Sequence, residues 1–377
     1  MADSERNIEG LDPAIATSML AALDDDEEDH QALAGYLEGL GIPLTSMIDA
    51  AQSNQLVAAA FTDLVHPHGE LTLDQLAAKA EVSVLEARRI LRALGIPVGS
   101  SAEPSYVEAD IDLVRVCAHA VVMLPPGLAY SVLRVIGSSF DRIADSAVGR
   151  YFAIAQPSID AASTPLIEQA GSIRAAAEVL CDGLAAMAPR LLAHHLWAAT
   201  GRYWAARKDV TAYETACLAV GFVDLVGFTP LSRHVTISEL ERLVSRFENT
   251  AYEAVAANDG RVVKLIGDEV MFVSLDGVSA CEIALQLLGE FGDEDSITPR
   301  AGVAFGELLA RDGDYYGPTV NLASRVGDIA VPNELLVTNP VTDQLKEIDG
   351  LFTVESSGRR MLKGFDEPVQ VFTVGRA

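Results

Sequence analysis

The chain has 377 residues, half of them hydrophobic, and its 27 basic against 54 acidic side chains leave a net charge of −27. That length suggests two or three domains, each able to bury a core of its own, and the composition is globular rather than disordered. The acid is spread evenly, with 14 basic and 28 acidic residues before Thr211 and 13 and 26 from there on, which argues against a large nucleic-acid surface and against docking on anionic lipid.

The first residues, MADSERNIEG, are polar and acidic and read as carrying no signal peptide. The acidic cluster Asp24 to Asp29 predicts a solvated helix end or loop. From Gln31 to about Arg207, alanine and leucine recur at three- and four-residue spacing and alternating β-branched runs are scarce, so the region predicts an all-α domain. Breaks near Gly95–Pro104, Pro125–Gly127 and Gln156–Pro165 divide it into eight or nine helices, ending in a linker helix over 191–207. Within it, Leu71 to Gly95 has the look of a helix-turn-helix, with a turn at Val82-Ser83 and Arg88, Arg89 and Arg92 on its second helix. The surrounding acid favours a packing unit with a solvated basic face over DNA binding. The longest apolar run, Val114 to Leu128, contains Arg115 and His119 and breaks at Pro125-Pro126, short of a membrane span. The four cysteines, Cys117, Cys181, Cys217 and Cys281, form no CxxC pair and read as reduced core thiols of a cytoplasmic protein.

After Lys208 the texture changes. Cys217–Val223 predicts a buried strand and Ile237–Ala257 an amphipathic helix, with Ser238 as N-cap and Leu240, Leu243, Val244 and Phe247 on its apolar face. Arg261–Ile266 and Val270–Leu275 predict a hairpin closed by Gly267-Asp268-Glu269. There follow a helix over Val278–Phe291, a strand over Pro299–Leu309, a helix beginning Thr319–Val326, a strand over Glu334–Thr338, a helix over Thr342–Glu347 and a β-rich end from Phe352 to Val374. The order predicts an α+β sheet with helices on one face.

Three strings in this half carry chemistry: FVDLVGFT around Asp224, KLIGDEV around Asp268, and DYYGPTVNLASR from Asp314 to Arg325. A strand end followed by a glycine loop offers backbone N–H groups, here at Phe228 and Thr229, to phosphates. Asp224 beside that loop and Asp268 on the neighbouring hairpin put two hard oxygen donors within reach of one pair of metal ions. Lys264 precedes Asp268 by four residues, an even spacing that puts both on one strand face. Asn321 and Arg325 lie one helical turn apart, and an arginine there can offer a planar fork to phosphate.

With these strings in this order, the region from about 211 to 377 resembles the catalytic domain of class III nucleotidyl cyclases, a ferredoxin-like, palm-type fold. By that resemblance Asp224 and Asp268 match the metal-binding aspartates, and Lys264 and Asp314 the pair that reads adenine. Asn321 and Arg325 match the residues that position the ribose and stabilise the transition state, and Lys363, in MLKGF, a phosphate-contacting lysine. Guanylate members carry Glu and a small residue such as Cys where this chain has Lys264 and Asp314, so it resembles the adenylate members. The resemblance implies two divalent ions, Mg²⁺ or Mn²⁺, with ATP as substrate. It also implies a head-to-tail homodimer in which one chain supplies Asp224 and Asp268 and the other supplies Lys264, Asp314, Asn321, Arg325 and Lys363. KLIGDEV is also similar to the GGDEF string of diguanylate cyclases, but that reading needs a second glycine at Ile266 and leaves VNLASR unexplained.

The helical region resembles the autoinhibitory domains of some bacterial class III cyclases, including acid-responsive ones. Six of the seven histidines precede Thr211 (His30, His66, His68, His119, His194 and His195), and the last two lie just before the catalytic region. Histidine changes charge between about pH 5 and 8, so these two are the candidate regulatory residues. The apolar helical domain is also compatible with a small ligand or lipid, which the pattern does not name. Two rival readings are a cyclase-like sensor that binds nucleotide without turnover and a DNA-binding regulator using residues 71–95.

Overall fold

The computed structural model describes residues 27–53, 55–65, 69–99, 104–159, 164–207, 215–291, 297–348 and 350–377. His66, His68, half of the acidic cluster (residues 24–26) and the chain around Thr211 lie outside them. By internal contacts the chain divides into Met1–Ala193 and His194–Ala377.

Eight helices precede the first long strand among the described residues: α1 Glu27–Gly39, α2 Leu44–Gln52, α3 Ala59–Val65, α4 Leu73–Lys79, α5 Val84–Ala93, α6 Glu108–Met123, α7 Pro126–Ile159 and α8 Leu166–Ala205. The helix-turn-helix segment forms as α4 and α5, each started by a side-chain cap: Thr72 accepts from Gln75 N, and Ser83 from Glu86 N. Leu73, Leu76, Ile90 and Leu91 are fully buried with Val114 of α6 and Leu133 of α7, so the pair works as a packing unit. The expected break over Gln156–Pro165 falls between the end of α7 at Ile159 and the start of α8 at Leu166, and the linker helix is the last part of the 40-residue α8, which continues through Pro189. No helix among the described residues is long and apolar enough to cross a membrane. Cys117 and Cys281 are buried, whereas Cys181 and Cys217 are only half-buried, and all four are unpaired with one another.

The second unit is built on an eight-stranded sheet. In chain order it runs β1 Thr215–Val226, α9 Phe228–Leu231, α10 Ile237–Ala257, β2 Arg261–Ile266, β3 Glu269–Ser274, α11 Gly277–Glu290, β4 Thr298–Arg311, β5 Asp314–Tyr316, α12 Pro318–Ile329, β6 Leu335–Thr338, α13 Asn339–Leu345, β7 Phe352–Arg360 and β8 Val369–Arg376. The strand order is β2-β3-β1-β4-β6-β8-β7, with β5 paired to β4. Its first part, β1-α10-β2-β3-α11-β4, is the ferredoxin-like split unit. β4 and β6 run parallel and the other paired strands run antiparallel.

Alternation along β1 assigns its two faces. Ala219, Val223 and Leu225 bury against Phe247 and Ala251 of α10, Leu287 of α11 and Val341 of α13. Leu218, Val220 and Phe222 bury on the other side with Ala323 of α12 and Ala206 just beyond α8. Helices therefore cover both faces, which corrects the one-sided arrangement expected from sequence. The N-cap of α10 is Thr236, two residues before Ser238, in a capping box with Glu239.

The seat of α12 is made by glycine. A Cβ added to Gly302 on β4 would lie 2.1 Å from Gly327 N and 2.5 Å from Ala323 O, so even one methyl group forces the helix off the strand. Gly302→Ala is expected to destabilise the protein by about 1–3 kcal/mol and to lower the thermal midpoint by several degrees, measured by calorimetry. Gly289→Ala, where nothing lies within 4 Å, is the control and should leave the midpoint unchanged or slightly raised.

Candidate active site

Asp224 lies inside β1 rather than beyond its end, because the strand runs on to Val226 and pairs on both sides: Asp224 sits opposite Glu269 of β3 and Arg300 of β4. Its even position in the alternation puts it on the α12 face with Phe222. Asp268 occupies the two-residue turn between β2 and β3, after Gly267 at φ 65. Because β2 ends at Ile266, the turn interrupts the even spacing that was expected to put Lys264 and Asp268 on one strand face. The turn is nevertheless tied to the first strand, since Leu225 N donates to Asp268 O at 3.1 Å. The two aspartates are thus brought together by main-chain pairing.

Arg300, which the sequence did not single out, grips Asp224 with a fork: Nε donates to Oδ1 at 2.8 Å and Nη2 to Oδ2 at 3.0 Å. Its Nη1 donates to the main-chain oxygen of Asp328 on α12. The Asp328 carboxylate in turn accepts from Arg325 Nη1 at 2.6 Å. One guanidinium therefore joins β1, β4 and α12. A third carboxyl, Glu269, stands beside the two aspartates, and burial first, then the charges of Asp224, Asp328 and Asp268, push it up to about 7. Burial, with the charge of Asp224 adding to it, also raises Asp268.

This donor set suits hard divalent cations, which take carboxylate oxygens. Among the described residues no group of three or more His, Cys, Asp or Glu is placed to hold a metal ion alone. Substrate oxygens and water would have to complete the shell, as is usual for Mg²⁺ on a triphosphate.

A second cluster forms between β2 and β5. Lys264 Nζ donates to Asp314 Oδ2 at 2.6 Å, and the other oxygen, Oδ1, accepts from Tyr315 N at 2.8 Å. This short strand was not predicted. Asn321 is exposed on α12 one turn before Arg325. Lys363 is exposed in the β7–β8 connection, next to Leu362, which is buried against Val326 of α12. Gly227, at φ 91, starts the single turn of α9, where Phe228 packs on the core and Thr229 is exposed. His194 and His195 are both exposed on α8.

Residues 210–375 match the family described as the adenylate and guanylate cyclase catalytic domain. An adenylate cyclase of Streptomyces coelicolor is 34% identical over 275 residues, covering 72% of this chain and 70% of the relative. The chain belongs to the class III adenylate cyclases. An uncharacterised protein of Mycobacterium bovis is 30% identical to this cyclase over 347 residues, 91% of this chain and 90% of the relative. A pH-sensitive adenylate cyclase of Mycobacterium tuberculosis is 39% identical over 164 residues, 42% of this cyclase and 41% of the relative.

The Arg300 fork is the one cation that contacts Asp224 directly among the described residues. Arg300→Gln should lower stability by about 1–3 kcal/mol in chelator, since it leaves a half-buried carboxylate without its partner. Saturating Mn²⁺ should recover more stability in the variant than in the parent, because the ion takes over the neutralisation. Thermal unfolding of both proteins with and without Mn²⁺ checks this, and an equal gain in the two would contradict it.

Proposed function

We propose that this cyclase converts ATP to 3′,5′-cyclic AMP and pyrophosphate, as a homodimer whose two active sites are each shared between chains. The observation that carries this reading is the Lys264–Asp314 contact. Adenine offers an amino donor beside a ring-nitrogen acceptor, and an ammonium next to a carboxylate meets that pair in kind. Guanine presents an oxygen acceptor where adenine has its amino group, which leaves a carboxylate without a donor. Asp224 and Asp268 of one chain would hold two divalent ions, Mg²⁺ or Mn²⁺, which when bound neutralise triphosphate charge and lower the pKa of the ribose hydroxyl.

The 3′-hydroxyl oxygen attacks the α-phosphorus in line, the bond to the bridging oxygen breaks, pyrophosphate leaves, and the hydroxyl proton is lost to solvent. Asn321 orients the ribose, and the Arg325 fork, released from Asp328, meets the charge that develops on the phosphate. Lys363 and the N–H groups at Phe228 and Thr229 hold the outer phosphates. Most of the rate enhancement then comes from positioning and charge neutralisation.

The shared site is supported by surface chemistry as well as by family membership. α7 and α8 expose large apolar side chains, among them Phe140, Val179, Trp197 and Trp204. Helices apolar on that scale are usually covered, and a second copy would cover them. The helical region 1–207 acts in this reading as an intramolecular regulator of the catalytic region 211–377. His194 and His195, both exposed on α8, are the regulatory side chains of this reading, in which acidification activates. The relative named as pH-sensitive supports this regulation.

Two experiments test the reading. Asp268→Ala and Arg325→Ala should each abolish cyclic AMP formation with Mn²⁺. An equal mixture of the two should regain about a quarter of the parent rate, because half the dimers are mixed and each has one intact site. No recovery on mixing would exclude shared sites. Across about pH 5 to 8, the rate of the full chain should rise as pH falls while residues 211–377 alone show a flatter profile, and identical profiles would remove the regulatory assignment.

A further inference from the structure

The base-reading pair rests on contacts made by a residue that lies outside all three motifs. Lys264 is on β2, the last strand at one edge of the sheet, and Asp314 is on the three-residue β5, which pairs with β4. Among the described residues no backbone ladder joins β2 to β5. The distance from the ammonium to the carboxylate is therefore set by side chains that cross between them.

Besides the pair itself, Arg261 makes that crossing twice. It opens β2 three residues before Lys264, and its Nη2 donates to Gly313 O at 2.7 Å. Its guanidinium also lies over the Tyr315 ring, 5.6 Å from the centroid. Gly313 and Tyr315 are the two neighbours of Asp314, so the fork holds the chain on both sides of the base-reading carboxylate. The hairpin needs such a hold. Asp312 and Gly313 both take positive φ, 55 and 80, in a tight turn, and the short strand after it has few main-chain bonds to fix its tilt. Tyr315 is nearly buried in the cluster with Leu218, Phe222 and Ala206, so the stacked ring gives Arg261 a fixed platform. Arg202, near the end of α8, lies beside the same two groups, and burial and the like charge of Arg261 hold its guanidinium below its ordinary range.

We propose that Arg261 is a specificity-determining positioning residue: by holding Gly313 and Tyr315, it keeps Asp314 at the separation from Lys264 at which the pair accepts adenine and rejects guanine. The proposal rests on the reading that Lys264 and Asp314 contact the base. In this proposal Arg261 acts through Gly313 and Tyr315 rather than on the substrate, so its loss should appear in nucleotide discrimination rather than in turnover.

The test is steady-state kinetics of the full chain with ATP and with GTP for Arg261→Ala, Arg261→Lys and Tyr315→Leu, beside Lys264→Ala and Asp314→Ala. Arg261→Ala should raise KM for ATP about tenfold, leave kcat within about twofold, and reduce the ATP-over-GTP ratio of kcat/KM about tenfold. Arg261→Lys keeps a donor for the carbonyl but not the stacked plane and should fall between. Tyr315→Leu removes the platform and should shift the ratio the same way, which keeps the idea open to refutation if Arg261→Ala does not fold. If the Arg261 and Tyr315 variants lower kcat alike for both nucleotides and leave the ratio unchanged, while Lys264→Ala and Asp314→Ala change it, Arg261 has only a structural role and the proposal is overturned. If Lys264→Ala and Asp314→Ala also leave the ratio unchanged, base reading by the pair is itself wrong and Arg261 loses its assignment with it.

Discussion

Four carboxyl groups, those of Asp224, Asp268, Glu269 and Asp328, converge around one guanidinium, that of Arg300. Such a gathering of like charge is unfavourable unless something neutralises it. Arg300 supplies part of that, and the seating of α12 on β1 and β4 follows from how it does so. Its fork needs β1 and β4 in register, with Asp224 opposite Arg300, and its third nitrogen needs α12 seated where Asp328 offers its main-chain oxygen. The charge that remains is what a triphosphate with its cations would answer. The same contact therefore ties the fold to the chemistry.

The two ends of the site are held by different means. The aspartates are placed by β-ladder pairing and by the Leu225–Asp268 main-chain bond, which are cooperative and hard to shift one at a time. Lys264 and Asp314 meet across a gap without a ladder, bridged by side chains alone. Contacts of the second kind open at lower free energy than a sheet interior. In the proposed reaction the rigid end would handle charge and the compliant end would discriminate between bases.

Much of this was legible in the sequence, because its signals are local. Arg261–Ile266 forms the strand that the hairpin signal around Gly267-Asp268-Glu269 predicts, and the turn puts its carboxylate at a hairpin tip. Motif strings gave Asp224 on β1, Lys264 on β2, Asp268 in the turn after it, and Asn321 and Arg325 on α12, but not Arg261 at the start of β2. What escaped depends on partners far away in the chain. Arg300 is a lone arginine at the start of an apolar strand, and only the β1–β4 register gives it Asp224 as partner. β5 is too short for a periodicity signal and exists because β4 pairs with it. Thr236 takes the cap from Ser238 because Glu239 completes a capping box with it. The placement of α12 on the second face was invisible because its amphipathic pattern shows that one side is buried, not which side of the sheet receives it.

The glycine contact beneath that helix has a consequence for motion. Where helices rest on sheets through interleaved side chains, each rotamer change in the layer between them moves the helix a little. Between Gly302 and Gly327 there is no such layer, since the strand and the helix touch through main-chain atoms. Elsewhere α12 packs through side chains such as Ala323 and Val326, but at this one point no rotamer stands between helix and strand, and Arg325 lies two residues away from it.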